Sequence, residues 1–208
     1  MITIFHLDNS RSERIVWLME ELGEHYEQKT FLRNDYAGLR DIHPLGKAPV
    51  IRDGEQVVFE SGAIVEHLLR RYGKGRLHPV ADSPEGLRYL EFMHFAEGSA
   101  MPALVNVFLL RRALGDQAES NPMLQAMQAR ADVMLNYLDS ELAARPYFAG
   151  AEFTAADIMM EFCLTFQERV ASPDWATTHP HIHAWLQRLR ARPAYQRMLK
   201  VATPKKAF

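Results

Sequence analysis

Cysteine is nearly absent from this chain. Among 208 residues there is one, Cys163, so no disulfide can form within the chain and neither CxxC nor zinc-knuckle spacing occurs. A basic excess is missing too. Residues 1–80 carry 11 Lys and Arg against 12 Asp and Glu, and the remainder carries 13 against 14. Each part sits at −1, which argues against a nucleic-acid partner. No stretch approaches the roughly 18 uncharged apolar residues of a membrane helix, and Met1–His6 lacks the basic-then-apolar pattern of a signal peptide. No repeat of 20–50 residues and no low-complexity tract occurs. What remains is 48% hydrophobic and 24% charged, enough apolar material for a sizeable core and a size that suits two domains. A reduced, cytoplasmic setting is expected.

The first 80 residues alternate strand-like and helical patterns. Ile2–His6 reads as a buried strand. Ser12–Leu22 places Ile15, Leu18, Met19 and Leu22 on one helical face and stops at Gly23. Tyr26–Phe31 reads as the next strand, followed by a polar, irregular stretch over 34–48. Pro49–Arg52 and Gln56–Phe59 flank the hairpin signal Asp53-Gly54. Ile64, Val65, Leu68, Leu69 and Tyr72 then share a helical face. The order βαβ-ββα implies a crossover and a parallel start, then an antiparallel finish: a mixed four-stranded sheet with helices on it. Residues 81–86 read as a linker. From Leu87 onward only helical periodicity appears, as in Leu124, Met127, Ala131, Leu135, Leu138 and Leu142. The expected fold class is therefore α/β plus all-α, with an α/β domain over 1–80 and an all-helical domain over 87–208.

Three short segments can carry chemistry. Ser10 lies between the first strand and the first helix. Ser10-Arg11-Ser12-Glu13 fits a capping box, and the same position places a hydroxyl where a helix N-terminus favours an anion, including a thiolate. Pro49 opens a strand; it is either an ordinary edge proline or a cis proline that turns the backbone of the next residue toward an extended peptide. Ser61 is read as the N-cap of a helix over 63–72, and that N-terminus can receive a carboxylate. Glu60 beside it can pair with an ammonium, and Lys47 with a second carboxylate. An ammonium receptor next to a carboxylate receptor suits the α-amino acid end of a ligand.

These pieces resemble the glutathione transferase superfamily over nearly the whole chain. The resemblance rests on Ser10 and Arg14 ahead of Glu20-Glu21-Leu22-Gly23, on Pro44-Leu45-Gly46-Lys47-Ala48-Pro49-Val50, on Glu60-Ser61-Gly62-Ala63-Ile64, and on Phe153-Thr154-Ala155-Ala156-Asp157-Ile158. The last is similar to the family's capping box and hydrophobic staple, in which Thr154 caps and Asp157 reaches back. Phe92–Ser99 is similar to a bacterial and fungal subgroup, and His43 stands where the family often has Asn. The resemblance implies a thioredoxin-like, glutathione-binding domain over 1–80 and a helical domain carrying the electrophile pocket. Lys47 would contact the glycyl carboxylate, Pro49 and Val50 the cysteinyl backbone, and Glu60 and Ser61 the γ-glutamyl end. Ser10 aligns with the serine of theta- and delta-like classes that donates to the sulfur; Ser12 or backbone N–H groups are the alternatives. Met101, Phe108, Leu109 and Arg112 would face a hydrophobic electrophile, or lie in the core or a dimer interface. Glutathione is the implied co-substrate, a homodimer the implied assembly, and no metal is implied. Transfer onto an electrophile is the leading activity. Reduction of an organic hydroperoxide by the same thiolate and a non-catalytic binding role are the alternatives. With no cysteine near residue 10, thiol–disulfide exchange is disfavoured. Cys163 reads as an inert core thiol, His179, His181 and His183 as a solvated helix start, and Lys205-Lys206 as a solvated tail.

Overall fold

The computed structural model describes residues 1–33, 36–170 and 174–202. It divides into two compact units: Met1–His78 joined by the stretch beginning at Leu189, and Pro79–Arg188.

The first unit runs β1 (Ile2–Leu7), α1 (Glu13–Leu22), β2 (Tyr26–Phe31), α2 (Leu39–Ile42), β3 (Val50–Asp53), β4 (Gln56–Phe59) and α3 (Ser61–Tyr72). The sheet order is β2-β1-β3-β4. β1 and β2 are parallel, and the other two pairings are antiparallel. This is the mixed four-stranded sheet that the element order implies. β1 is buried because it has strand neighbours on both sides and a helix above, whereas the outer strand β2 carries Glu27, Gln28 and Lys29, the polar content that blunts an exposed edge. The short helix α2 falls in the stretch read as irregular: Leu39 is fully buried against Phe5 and Val50, an anchor too brief to leave a periodicity.

The hairpin turns one residue later than expected. Asp53 pairs with Gln56, so the loop is Gly54-Glu55, and Gly54 takes the left-handed backbone (φ 61°) that suits glycine. Asp53 is instead buried. It accepts hydrogen bonds from His67 Nε2 (2.8 Å) and the Tyr72 hydroxyl (2.7 Å), which fasten the hairpin to α3.

α1 is buried continuously from Arg14 to Met19, more than one amphipathic stripe allows. The reason is a second cover. α10 (Pro193–Ala202), the last helix of the chain, packs along it. Tyr195 meets Trp17 edge-to-face at 4.9 Å, Arg192 makes a two-pronged ion pair with Glu21 (2.7 and 2.9 Å), and Arg197 binds Glu20 (2.7 Å). The end of the expected 87–208 domain thus belongs with the first unit, because α10 completes the burial of α1.

The second unit contains α4 (Pro84–Phe95), a π-helical turn (Ala96–Ala100), α5 (Met101–Leu114), a 3₁₀ turn (Gly115–Gln117), α6 (Pro122–Ala144), α7 (Ala155–Val170), α8 (Trp175–Thr178) and α9 (Pro180–Arg190), whose last turn passes into the first unit. α4 starts inside the expected linker 81–86. Ser83 caps it by accepting the Gly86 N–H (3.0 Å), with Pro84 in its first turn. Gly86 is required by close approach: a Cβ there would fall 2.2 Å from the Val80 carbonyl oxygen. Pro84–Gln117 spans 34 helical residues and passes a length-and-composition test for a membrane-crossing helix, although Glu97, Arg111 and Arg112 keep it short of the uncharged run that the sequence expectation concerns. Here α4 packs against α7 and α5 against α6 and α7, and Met93, Met101 and Leu104 of the run are buried.

Asp157 holds the helical unit together. One carboxylate oxygen accepts from the Phe148 N–H (3.1 Å) and Trp185 Nε1 (3.0 Å), and the other from the Thr154 N–H (2.9 Å) and hydroxyl (3.3 Å). The reach back to Thr154 is the capping box read from the sequence. The links to Phe148 and Trp185 extend it to a loop and to α9. Complete burial pushes the Asp157 pKa up to about 6, against the pull of those four donors. Asp157→Ala strands all four donors in the interior and is expected to cost roughly 3–5 kcal/mol of unfolding free energy. Denaturant unfolding measures this, and a loss below about 1 kcal/mol would show that the carboxylate is dispensable.

Candidate functional site

The strand register assembles one end of the sheet. Val50 stands opposite Phe5 of β1 and opposite Phe59 of β4. The chain leaving β1 toward Ser10, the chain entering β3 through Lys47 and Pro49, and the chain leaving β4 through Glu60 and Ser61 therefore meet at the same edge. Arg14, at the start of α1 and only 1% exposed, donates from Nη1 to the Ser61 hydroxyl at the start of α3 (3.2 Å). A buried guanidinium thus ties the two helix N-termini to each other.

Around that edge the backbone is unusual. Ala48–Pro49 is a cis peptide, the sharper of the two readings of Pro49. Pro49 and Val50 are buried while Lys47 is exposed. Glu60 is exposed and adopts φ 69°, ψ 120°, a backbone that costs an L-residue about 1–3 kcal/mol and concentrates where ligands bind. Glu60 is the N-cap of α3 and accepts the Ile64 N–H (2.9 Å), so Ser61 is the first helical residue rather than the cap. The N–H groups of Ser61, Gly62 and Ala63 precede the first intrahelical bond, a natural receptor for a carboxylate.

The loop after β1 is more closed than the sequence suggests. α1 begins at Glu13 with Ser12 as its N-cap, and the cap side chain makes no capping bond; the N-cap thus lies two residues past the position that a Ser10 capping box requires. Ser10 is 7% exposed. Its Oγ lies 2.7 Å from the Leu7 carbonyl and 2.7 Å from Ser12 Oγ, and it accepts the Ser12 N–H (3.2 Å). Ser12 Oγ lies 2.8 Å from His6 Nδ1, and the other ring nitrogen of His6 lies 2.8 Å from the Ala202 carbonyl at the end of α10. A carbonyl only accepts, so Nε2 carries the proton and Nδ1 receives the Ser12 hydroxyl. Burial lowers the His6 pKa and outweighs the opposing pull of the Ala202 carbonyl and of Asp8, which keeps the ring neutral at rest.

His6, Ser12 and Arg14 are the parts that sequence reading leaves without their roles. Ile2, Ile4 and His6 share one side of β1 by strand alternation, and a histidine on that buried side is the legible signal. The Arg14–Ser61 contact spans 47 positions and leaves no local trace.

In the helical unit, α5 and α6 line a cavity of about 580 Å³ with Leu104, Val107, Phe108, Arg111 and Leu135. Of the four residues expected at the electrophile only Phe108 lines this cavity. Met101 is a buried core residue, and Leu109 and Arg112 are exposed. Positions 104, 107, 108 and 111 form one helical face and 112 lies about 40° past its edge at 108. Cys163 is buried, with Sγ 3.4 Å from the Ala96 carbonyl. At the start of α9, Asp139 accepts from the His181 and Ile182 N–H groups (2.9 Å each) and lies 2.8 Å from His181 Nδ1. Among the described residues no group of three His, Cys, Asp or Glu side chains converges. Lys205 and Lys206 lie outside the described residues.

Residues 2–70 match the family model for the glutathione S-transferase N-terminal domain, and residues 98–193 match that for the C-terminal domain. Glutathione S-transferase 3 of Schizosaccharomyces pombe is 35% identical over 93% of this chain and 85% of its own length. A glutathione S-transferase structure from Actinobacillus pleuropneumoniae superposes with TM-score 0.87 at 29% identity, covering 97% of this chain and 93% of that one. A theta class glutathione S-transferase from Xanthomonas axonopodis pv. citri, with glutathione bound, gives 0.76 at 30% identity over 98% and 99%. With both domain models matched and a relative at 35% identity covered over 85% of its length, the chain belongs to the glutathione S-transferase family.

Proposed function

We propose that this protein is a glutathione transferase that binds glutathione at the edge formed by β1, β3 and β4 and conjugates it to a hydrophobic electrophile. The observation that carries the reading is the register Phe5–Val50–Phe59, which gathers Ser10, Lys47, Pro49, Val50, Glu60 and Ser61 at one end of the sheet. The charges match the tripeptide. The α3 N-terminus and the Ser61 hydroxyl receive the γ-glutamyl carboxylate, Glu60 receives its ammonium, Lys47 the glycyl carboxylate, and Val50 after Pro49 the cysteinyl backbone. A free thiol with pKa near 8.5 is only a few per cent thiolate at pH 7. Ser10, beside the α1 N-terminus, is the group that turns toward the sulfur and favours the anion. Phe108, facing the helical cavity, is proposed on the acceptor side. The assembly is a homodimer, in keeping with the exposed apolar residues Leu87, Leu90, Val133 and Tyr137 on α4 and α6. A cytoplasmic location suits a chain with one buried thiol.

The protein is expected to bind immobilised glutathione and to elute with the free tripeptide; passage straight through the resin would sink the reading. Ser61→Ala removes a hydrogen bond to a charged group, worth about 1.5–3 kcal/mol, so glutathione affinity should fall roughly 10- to 100-fold. Lys47→Ala removes an exposed ion pair worth about 0.2–1 kcal/mol and should cost only a few-fold. Equal losses in the two variants would contradict the assigned partners. Light scattering at micromolar concentration should return twice the chain mass of 23.9 kDa, and a monomeric mass would refute the dimer.

A further inference from the structure

We infer that His6 receives the proton that leaves the glutathione sulfur, passed through Ser10 and Ser12. This rests on glutathione binding at the β1, β3 and β4 edge and adds a named acceptor to it. His6 acts through Ser12 and Ser10 and does not touch the substrate.

The geometry shows why an acceptor is needed. Ser10 has one hydroxyl proton and two internal acceptors for it, the Leu7 carbonyl and Ser12 Oγ, each at 2.7 Å. A simple outward donor would have to abandon both. A continuous line, Ser10 Oγ to Ser12 Oγ to His6 Nδ1 at 2.7 and 2.8 Å, offers another course. The thiol proton passes to Ser10 Oγ as the Ser10 proton passes to Ser12 Oγ and the Ser12 proton to His6 Nδ1. One S–H bond is lost and one N–H bond gained; each hydroxyl gives up one proton and takes another, and no electrons leave the system. Every hydrogen bond on the line then reverses. The imidazolium donates to Ser12, Ser12 donates to Ser10, and Ser10 donates to the thiolate.

The surroundings suit a transient imidazolium. The Ala202 carbonyl holds Nε2–H at 2.8 Å in both states. Asp8 is 5% exposed, its Oδ1 makes no hydrogen bond, and its charge favours protonation of His6. Several charges on the neighbouring elements are engaged elsewhere: Glu20 and Glu21 of α1 with Arg197 and Arg192, Arg14 with Ser61, Lys29 of β2 with Glu27, and Asp53 of β3 with His67; Glu13 opens α1 one residue after Ser12. Arg52 of β3 and Lys200 of α10 are exposed.

Two measurements on the full-length protein decide the matter. Calorimetry of glutathione binding in buffers of different ionisation enthalpy counts protons released, thiolate absorbance counts anions formed, and their ratio locates the proton. At about pH 7 the ratio should be near zero, and the nitrogen NMR signals of His6 should move from a neutral ring to an imidazolium on binding. Thiolate formation with about one proton released per anion and an unchanged His6 would overturn the relay while leaving glutathione binding intact. Binding without thiolate formation would overturn it as well, and absence of binding would remove both proposals. Ser12→Ala cuts the line and keeps both ends; its ratio should rise to near one, and a ratio still near zero with His6 protonated would show that Ser12 does not carry the proton. The wild-type measurement stands even if that variant fails to fold.

Discussion

The pairing of Val50 with both Phe5 and Phe59 is the constraint on which the rest depends. A register slip of one residue would turn Val50, Ile51, Phe5 and Ile4 inside out. It would also part the three chain segments that leave that edge. Burial fixes the register: Phe5, Val50 and Leu39 share one face, while Ile4 and Ile51 are fully buried on the other. The two charged residues proposed for recognition, Lys47 and Glu60, are therefore placed by hydrophobic packing that neither of them joins. Lys47 and Glu60 can remain exposed and charged because the strands carrying them have no freedom to move.

Two buried polar links convert that edge into a site. Arg14 fixes the α3 N-terminus relative to the α1 N-terminus through Ser61. Leaving its guanidinium uncompensated inside would cost several kcal/mol, so the contact constrains both helices. The second link runs from Ser10 through Ser12 and His6 to Ala202. It ties α10 to the loop that holds Ser10. The ion pairs Glu21–Arg192 and Glu20–Arg197 and the Trp17–Tyr195 contact hold α10 on α1, and that docking fixes the ring of His6.

Local features of the fold were legible in the sequence where a short segment carries its own signal. The strands and the helical face from Leu124 to Leu142 follow from periodicity. The reach of Asp157 back to Thr154 follows from a three-residue spacing. The sheet order follows from a crossover and a hairpin. What was not legible depends on distant partners. Nothing near residue 193 indicates that α10 covers α1, because its pattern is that of any amphipathic helix. The hairpin loop lies at Gly54-Glu55 because His67 and Tyr72, on another element, draw Asp53 inward. Ser10 was legible as a helix-start serine, but its inward hydroxyl depends on His6 and Leu7. The resemblance points to the α5 helix as a whole and names Arg112 on it, whereas the face of α5 that lines the helical cavity carries Arg111.

The closed state of Ser10 also bears on how a buried site can handle charge. An interior of low dielectric penalises an isolated thiolate and an isolated imidazolium alike. Moving one proton along a fixed line of hydroxyls creates the two together, so their combined charge stays at zero and each offsets part of the other's desolvation. The Ala202 carbonyl and, less strongly, the charge of Asp8 pull toward the imidazolium against the cost of burial. The hydroxyls contribute direction: a serine accepts and donates at once, so a single protonation at His6 reverses each bond between it and the sulfur. The resting loop keeps its hydroxyls turned inward and paired, and the donor needed by the anion appears only as the anion forms.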